Sequence, residues 1–274
     1  MIDHPNDERL KDAAAGPEQG PGAPPPSPAP PRWLAARPWI APVLPLVVFS
    51  IVGSFEPKPV VEGSTAPAWQ LPYSAYPAVY TLKIVLTLVA LALVWPALRV
   101  FPRRVSILSV VVGIVGVVAW IGLWRVQMGL LPHLPESVRS MLDAGRRSAY
   151  NPLAELADRP ALAYGFLAVR FFGLTVVIAL AEELFLRVFL MRFFVRPDWW
   201  NVPFGEVNGT ALAVGTAFPM LMHPAELLAA AVWFSLVTWL MIKTRSLWDC
   251  VIAHATTNLL LGCYVVWTGA WELW

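Results

Sequence analysis

The stretch that decides the fold runs from Ala179 to Phe194 and reads A-L-A-E-E-L-F-L-R-V-F-L-M-R-F-F. It places Glu182, Glu183 and Arg187 inside an apolar run, and three ionised groups cost roughly 9 kcal/mol on membrane-insertion scales. Insertion of the Leu, Ile, Val and Phe side chains of residues 171–194 into the bilayer contributes only about 7 kcal/mol of favourable free energy. Such a helix is marginal by itself, so its charged face is expected to look into a protein interior.

The spacing of these charges divides them into a pair and a single group. Residues four apart share a helix face, so Glu183 and Arg187 are predicted to form an ion pair. Glu182 is turned about 100° around the helix and has no local partner. An ionisable cluster inside a membrane indicates a functional site by default. The alternative is a structural ion pair that locks two helices together.

The composition of the whole chain indicates a membrane protein. Of its 274 residues, 57% are hydrophobic and only 14% are charged, whereas soluble domains carry about 25% charged residues. The apolar runs predict an all-α polytopic membrane protein with about seven to eight transmembrane helices. The formal net charge of +2 is too small to suggest nucleic acid as a partner.

The chain divides into three regions. Residues 1–37 form a proline-rich tail that is predicted to be disordered. Residues 38–160 are predicted to hold the N-terminal transmembrane helices and, at Leu134–Arg147, an interfacial helix. Residues 161–274 are predicted to hold the core with the charged site. The run Ala161–Val195 is too long for one straight span, so it is expected to be tilted, broken or extended past the membrane surface.

The distribution of Lys and Arg favours seven spans with the N-terminus inside. The tail and the segments 99–104, 192–196 and 243–245 fall on one side, as the positive-inside rule requires. The loop 125–160 is the exception, because its five arginines fall on the other side. An extra or re-entrant segment in that loop would change the number of spans.

Small residues and cysteines lead to two further predictions. Gly113, Gly116 and Gly122 lie on one predicted helix, where they favour close helix packing. Cys250 and Cys263 share the last predicted helix about 20 Å apart, which is too far for a disulfide bond. The chain has no C-x-x-C motif or Cys/His cluster, so neither structural zinc nor redox chemistry is expected.

Two of the four histidines stand where they could take part in chemistry. His223 closes a predicted helix immediately before a proline. His254 precedes Asn258 by four residues, so both side chains share one helix face. A single membrane histidine is explained equally well by a helix–helix hydrogen bond. Together with the glutamates, the imidazoles and the carboxamide supply what water-activated amide hydrolysis needs: a base, a proton carrier and oxyanion donors.

The order of these motifs resembles a known family. The chain carries E-E-x-x-x-R at Glu182–Arg187, a histidine that closes the next span, and H-x-x-x-N at His254–Asn258. This order is similar to that of the CPBP group, which holds the CAAX-prenyl endopeptidases with their bacteriocin-processing and bacteriocin-immunity relatives. The resemblance covers roughly residues 160–267. One departure lies in the usual F-x-x-x-H pattern, because Pro219 stands where the family has phenylalanine before His223.

The resemblance implies an intramembrane glutamic endopeptidase that cleaves a membrane-associated substrate. By this resemblance Glu182, together with His223, activates water. The Glu183–Arg187 pair supports it, while His254 and Asn258 stabilise the oxyanion. Because polar groups in lipid must find each other or water, these side chains are expected to converge on one cavity.

The neighbouring sequence resembles the bacterial subgroup that is associated with exosortase sorting systems. The implied partners are the lipid bilayer, a membrane-anchored protein or peptide substrate, and proteins of an exosortase system. The implied location is a bacterial inner membrane, with the N-terminus in the cytoplasm. No cofactor or metal is implied.

Other function classes remain open at this point. A non-catalytic membrane partner, such as an immunity or assembly factor, would need the ion pair but not a free Glu182. A proton-coupled transporter would use the carboxylates for protons, although the chain has no inverted repeat. Glutamate and two histidines could also bind zinc. The pairing of Glu183 with Arg187 argues against zinc, because a fixed cation opposes a divalent ion.

Overall fold

A computed structural model describes residues 32–59, 70–143 and 147–274 of the chain. Within these ranges the regular elements are helices and no strand occurs, so the predicted all-α fold is confirmed. Seven of these helices are apolar and at least 14 residues long. In chain order they are α1 Ile40–Gly53, α2 Tyr76–Leu98, α3 Ile107–Leu130, α4 Pro160–Val195, α5 Gly209–Met222, α6 Leu227–Thr244 and α7 Leu247–Thr268.

The seven helices differ in their ability to cross a bilayer. Helices α2, α3, α4, α6 and α7 are long and apolar enough to span it. Helices α1 and α5 have 14 residues each, which is about 21 Å of helix against a hydrocarbon core of about 30 Å. The multi-pass prediction is confirmed, with five full-length spans and two shorter apolar helices among the described residues.

Helix α4 is longer than one span needs and changes its winding on the way. It runs without a break over 36 residues, or about 54 Å. Two π-helical segments, Gly173–Ile178 and Leu184–Leu190, interrupt its α-helical winding. The short α-helical piece between them, Ala179–Glu183, carries both glutamates. Local π-helical winding inside an α-helix is frequent at functional sites.

Two predicted segments differ from the structure or lie outside it. Residues 1–31 of the predicted tail are outside the described ranges, whereas Arg32–Ala36 forms a short helix with Leu34 buried. Of the interfacial helix expected at Leu134–Arg147, the described residues form a helix over Glu136–Asp143, and residues 144–146 lie outside the described ranges.

The prediction of close packing is right for two of the three glycines. A Cβ atom on Gly113 would lie 2.5 Å from the Cβ of Thr256, and one on Gly116 would lie 2.6 Å from Nε1 of Trp233. Helix α3 can therefore approach α6 and α7 only because these positions lack a side chain. The prediction for Gly122 is wrong, because none of the described residues lies within 4 Å of its Cβ position.

The two cysteines behave as predicted. Both lie on α7 and neither forms a disulfide bond; Cys250 is buried and Cys263 is exposed. Their separation along one helix keeps the two sulfur atoms apart.

Four of the five arginines of the loop 125–160 contact side chains in the described part of the protein, and Arg146 lies outside the described residues. The contacts join Arg125 to Tyr264, Arg139 to Glu136, Arg147 to Glu226 and Arg159 to Asp158. The contact of Arg147 with the buried Glu226 carboxylate, at 3.3 Å, raises the pKa of the guanidinium. The loop therefore belongs to the folded protein. The orientation of the N-terminus stays a prediction.

One end of the bundle brings several loops together. Helix α1 ends and α2 begins there, and the residues after α5 and α7 reach the same end. Gln127 of α3 donates a hydrogen bond of 2.8 Å to the carbonyl of Ala225, and Tyr73 donates one of 2.9 Å to the carbonyl of Ser148. We call this the His223 end, after the residue that follows α5.

Candidate active site

A cavity of about 280 Å³ lies at the His223 end and is lined by α1, α3, α4, α6 and α7. Glu182, His223, His254 and Asn258 line this cavity. Glu183 lies directly behind His254, 3.0 Å from its Nδ1. Four of the five side chains that were predicted to converge on one cavity therefore line it, whereas Glu183 lies behind it. We call this cavity the glutamate cavity.

Glu183 is the fixed anion of the site. Its Oε2 accepts a hydrogen bond of 3.2 Å from Nε of Arg187, and both side chains are completely buried. Arg187 also donates to the hydroxyl of Thr238 and, at 3.0 Å, to the carbonyl of Phe234, both on α6. The predicted ion pair is confirmed. It also ties α4 to α6, as the structural interpretation of the pair requires.

The neighbouring glutamate has a different environment. The side chain of Glu182 is 23% exposed, whereas that of Glu183 is 0% exposed. Oε2 of Glu182 lies 3.6 Å from Nε2 of His254, which is an electrostatic contact rather than a hydrogen bond. The sequence left Glu182 without a local partner, and the tertiary structure supplies one from α7. Glu182 is thus the accessible carboxylate of the pair.

His254 lies between the two carboxylates. Because a carboxylate only accepts, the ring places its Nδ1–H towards Glu183. Nε2 is then left to face Glu182. The indole of Trp233 packs edge-on against the imidazole, with the ring centroids 4.6 Å apart. These contacts fix the orientation of the ring and place a proton on Nδ1.

His223 is oriented by the proline that departs from the family pattern. Its Nδ1 lies 2.9 Å from the carbonyl oxygen of Pro219, which can only accept, so Nδ1 carries the proton. The backbone N–H of His223 donates to Met220 instead. Trp120 and Phe234 pack against the ring with centroids at 5.7 and 5.6 Å. The unprotonated Nε2 is therefore left as an acceptor.

Asn258 is held against the first π-helical segment of α4. Its Nδ2 donates a hydrogen bond of 2.8 Å to the carbonyl of Leu174. A carboxamide nitrogen carries two N–H groups, so one remains after this contact. The oxyanion role that the resemblance implies for Asn258 can rest only on that second N–H.

Several residues of the site escaped the sequence analysis. Leu46 and Phe49 of α1 and Trp120 of α3 line the glutamate cavity, as do Trp233 and the C-terminal Trp274. No sequence signal separates an apolar residue that lines a cavity from one that faces lipid. The loop between α3 and α4 and the start of α6 supply two further lining residues, Arg147 and Glu226. Glu226 lies in the short turn Pro224–Glu226 before α6, where it is buried and paired with Arg147.

The donor groups of the site do not form a metal-ligand cluster. In the described part of the chain, no three His, Cys, Asp or Glu side chains converge in an arrangement that could hold a metal ion. Glu183, which would be one ligand, already contacts Arg187. The expected absence of a metal stays a prediction.

Comparison with known proteins gives one match. Residues 164–260 match the model of a family that is described as type II CAAX prenyl endopeptidase Rce1-like. This stretch includes all six predicted site residues, whereas α1, α2 and α3 lie before it. No curated protein and no solved structure matches the chain. Residues 164–260 are thus similar to the Rce1-like family of CAAX-type membrane proteases.

Proposed function

We propose that the protein is an intramembrane endopeptidase in which Glu182 activates water to cleave a membrane-associated protein or peptide. One observation carries this proposal: the accessible member of the glutamate pair faces the glutamate cavity together with two imidazoles and a carboxamide. The buried member is neutralised by Arg187 and cannot serve as the base. A non-catalytic membrane partner would have no need for this difference between adjacent glutamates.

The first step is proton transfer from water to Glu182 as the water oxygen attacks the carbonyl carbon of the scissile bond. The C–O bond forms and the carbonyl oxygen becomes an oxyanion. When His254 also carries a proton on Nε2, its imidazolium stabilises the ionised Glu182 carboxylate before the transfer. The Nε2 lone pair of His223 offers a second acceptor for the water, since its other nitrogen is held by Pro219.

The second step breaks the C–N bond. The proton on Glu182 passes to the leaving amine nitrogen, and the oxyanion collapses to a carboxylic acid, which then releases its remaining proton to water and becomes a carboxylate. The free N–H of Asn258 donates to the oxyanion while it exists. The Glu183–Arg187 pair acts indirectly, because it holds the His254 ring in place. This mechanism needs neither a metal nor a cofactor.

The location of the site also bears on where the substrate enters. Helix α1 begins at the opposite end of the bundle from His223. With the N-terminus in the cytoplasm, the glutamate cavity would therefore open towards the outside of a bacterial inner membrane. Proteins of an exosortase system are proposed as partners on the sequence resemblance alone.

The proposal is tested by comparing the termini of membrane proteins in cells. Three strains carry the wild-type protein, Glu182→Gln or no copy, and a fourth carries Glu206→Gln at an exposed position as the matched control. New termini should appear with wild type and Glu206→Gln and be missing with Glu182→Gln at equal protein level. Identical termini in the wild-type and deletion strains would reject the protease activity. Wild-type termini in the Glu182→Gln strain would reject Glu182 as the general base.

A further inference from the structure

A second cavity, of about 240 Å³, adjoins the glutamate cavity at the His223 end. The two cavities share four lining residues: Phe49, Arg147, Leu174 and Trp274. Leu174 also accepts the hydrogen bond from Asn258. The two cavities are therefore neighbours with one wall in common.

Basic side chains dominate the wall of the second cavity. Among the described residues, the acidic lining side chain is Glu56 alone, and it already contacts Lys83. Arg147 is paired with Glu226, at 3.3 Å. The basic lining residues are Lys58, Lys83, Arg147 and Arg170. The wall thus carries more positive than negative charge, and we call this cavity the cation pocket.

Arg170 is the group that most needs an anion. It is only 1% exposed and lies in the apolar helix α4. Its Nη1 donates a hydrogen bond of 2.8 Å to the carbonyl of Tyr150. Its guanidinium carbon lies 4.9 Å from the ring centroid of Trp274. Its Nε has no hydrogen-bond partner and the side chain has no carboxylate partner in the described part of the chain. A buried cation without a counter-ion is costly, so an anionic ligand is favoured here.

We propose that the cation pocket binds a carboxylate of the peptide substrate. Guanidinium and ammonium groups bind carboxylates through charge-assisted hydrogen bonds, and Nε of Arg170 is a free donor for one of them. The two cavities are adjacent, and a peptide is long enough to place one part in each of them. The identity of the ligand as substrate rests on the proposed function. The carboxylate is the C-terminal group or an acidic side chain.

The first test uses the unmodified full-length protein in detergent and needs no cleavage. The probes are N-acetyl-trialanine as the free acid and the same peptide as the C-terminal amide. A ligand that binds only the folded state raises the unfolding temperature in a concentration-dependent way, which gives an apparent Kd. The acid should bind about tenfold or more tightly than the amide, because one charge-assisted hydrogen bond distinguishes the two probes.

A third probe separates the two sources of the carboxylate. An amidated N-acetyl peptide with one aspartate carries its only carboxylate on a side chain. Tighter binding of this probe than of the trialanine acid assigns the pocket to an acidic side chain, and the reverse assigns it to the C-terminus. Either result supports the carboxylate site.

Two variants locate the effect in the cation pocket. Arg170→Gln keeps an N–H donor for Tyr150 but removes the charge, and Lys83→Met offers an independent removal of charge if the first variant does not fold. Arg125→Gln is the matched control, because Arg125 lies outside both cavities on α3 and contacts Tyr264. The preference for the acid should vanish in the pocket variants and persist in the control.

Three results would overturn the inference. The first is equal binding of the acid and the amide, and the second is an acid preference that survives both pocket variants. The third is stabilisation by dihexanoylphosphatidylglycerol but not by either carboxylate probe, which would assign the pocket to a lipid phosphate. Glu182→Gln should retain the acid preference. Failure of the cleavage proposal is thereby distinguished from failure of the binding proposal.

Discussion

The two halves of the bundle contribute to the site in different ways. The segment from α4 to α7 holds every predicted site residue and contains the Rce1-like match at residues 164–260. Helices α1–α3 lie outside that match, yet Leu46, Phe49 and Trp120 line the glutamate cavity. Polar groups that do chemistry are restricted in type, whereas a cavity wall can be built from many apolar side chains. The C-terminal half thus supplies most of the polar groups of the cavity, and the N-terminal half supplies part of its apolar wall.

The two halves are joined by close packing rather than by ion pairs alone. The hydroxyl of Thr257 donates a hydrogen bond of 2.9 Å to the carbonyl of Gly113 and accepts one of 3.0 Å from the indole of Trp233. Trp233 in turn packs against His254. A disturbance of α3 therefore reaches His254 through two intermediate side chains, Thr257 and Trp233, which makes the comparison testable.

The largest effect is expected when the buried ion pair of the C-terminal half is broken. Arg187→Met leaves Glu183 buried and without its cation, and such a loss destabilises proteins by about 3–5 kcal/mol. The unfolding temperature in detergent should fall strongly. The matched control is Arg196→Met, because Arg196 is 48% exposed and its loss should change little.

A double variant sharpens this prediction. Arg187→Met combined with Glu183→Met removes both charges, so much of the lost stability should return while His254 loses its anchor. Recovery of stability without recovery of cleavage assigns the pair a positioning role. Full cleavage by the double variant would contradict that role.

A somewhat smaller effect is expected for Asn258→Ala. Removal of one oxyanion donor should lower the cleavage rate about 10²–10³-fold, and the freed carbonyl of Leu174 should cost little stability. The rate is measured on the substrate that the terminus comparison identifies, with exposed Asn201→Ala as the control. A rate within a few-fold of wild type would contradict the oxyanion role.

The contribution of the N-terminal half is tested by two substitutions on α3. In Gly116→Ala the new Cβ would lie 2.6 Å from Trp233, so the ring must shift. We expect about 1–3 kcal/mol of destabilisation and a roughly tenfold slower cleavage through His254. Gly122→Ala is the matched control on the same helix, since its Cβ would meet open space. Equal behaviour of the two variants would show that α3 does not shape the site.

The smallest effect is expected from removal of metal ions. Dialysis of the purified protein against a strong chelator should leave the cleavage rate unchanged, because the mechanism uses only side chains and Glu183 is committed to Arg187. Loss of activity that returns with zinc would reject the glutamate mechanism in favour of metal hydrolysis.

The predictability of each feature follows from the range of the interaction behind it. The Glu183–Arg187 pair was predictable because it joins residues one helical turn apart. The contact of Glu182 with His254 was not, because it joins α4 to α7. The roles of Pro219 and Gly122 likewise could not be predicted, because they depend on tertiary neighbours. The carbonyl of Pro219 orients His223, and the Cβ position of Gly122 faces open space.

The sequence by itself determined the membrane class, the helical fold and the identity of the polar groups, because hydropathy and i,i+4 spacing act along the chain. Only the tertiary structure decided which glutamate is accessible, since burial depends on the helices that pack around α4. It also decided that Arg147 and Arg170, separate in the chain, line one cavity. Charges far apart in sequence can gather only where helix packing brings their backbones together.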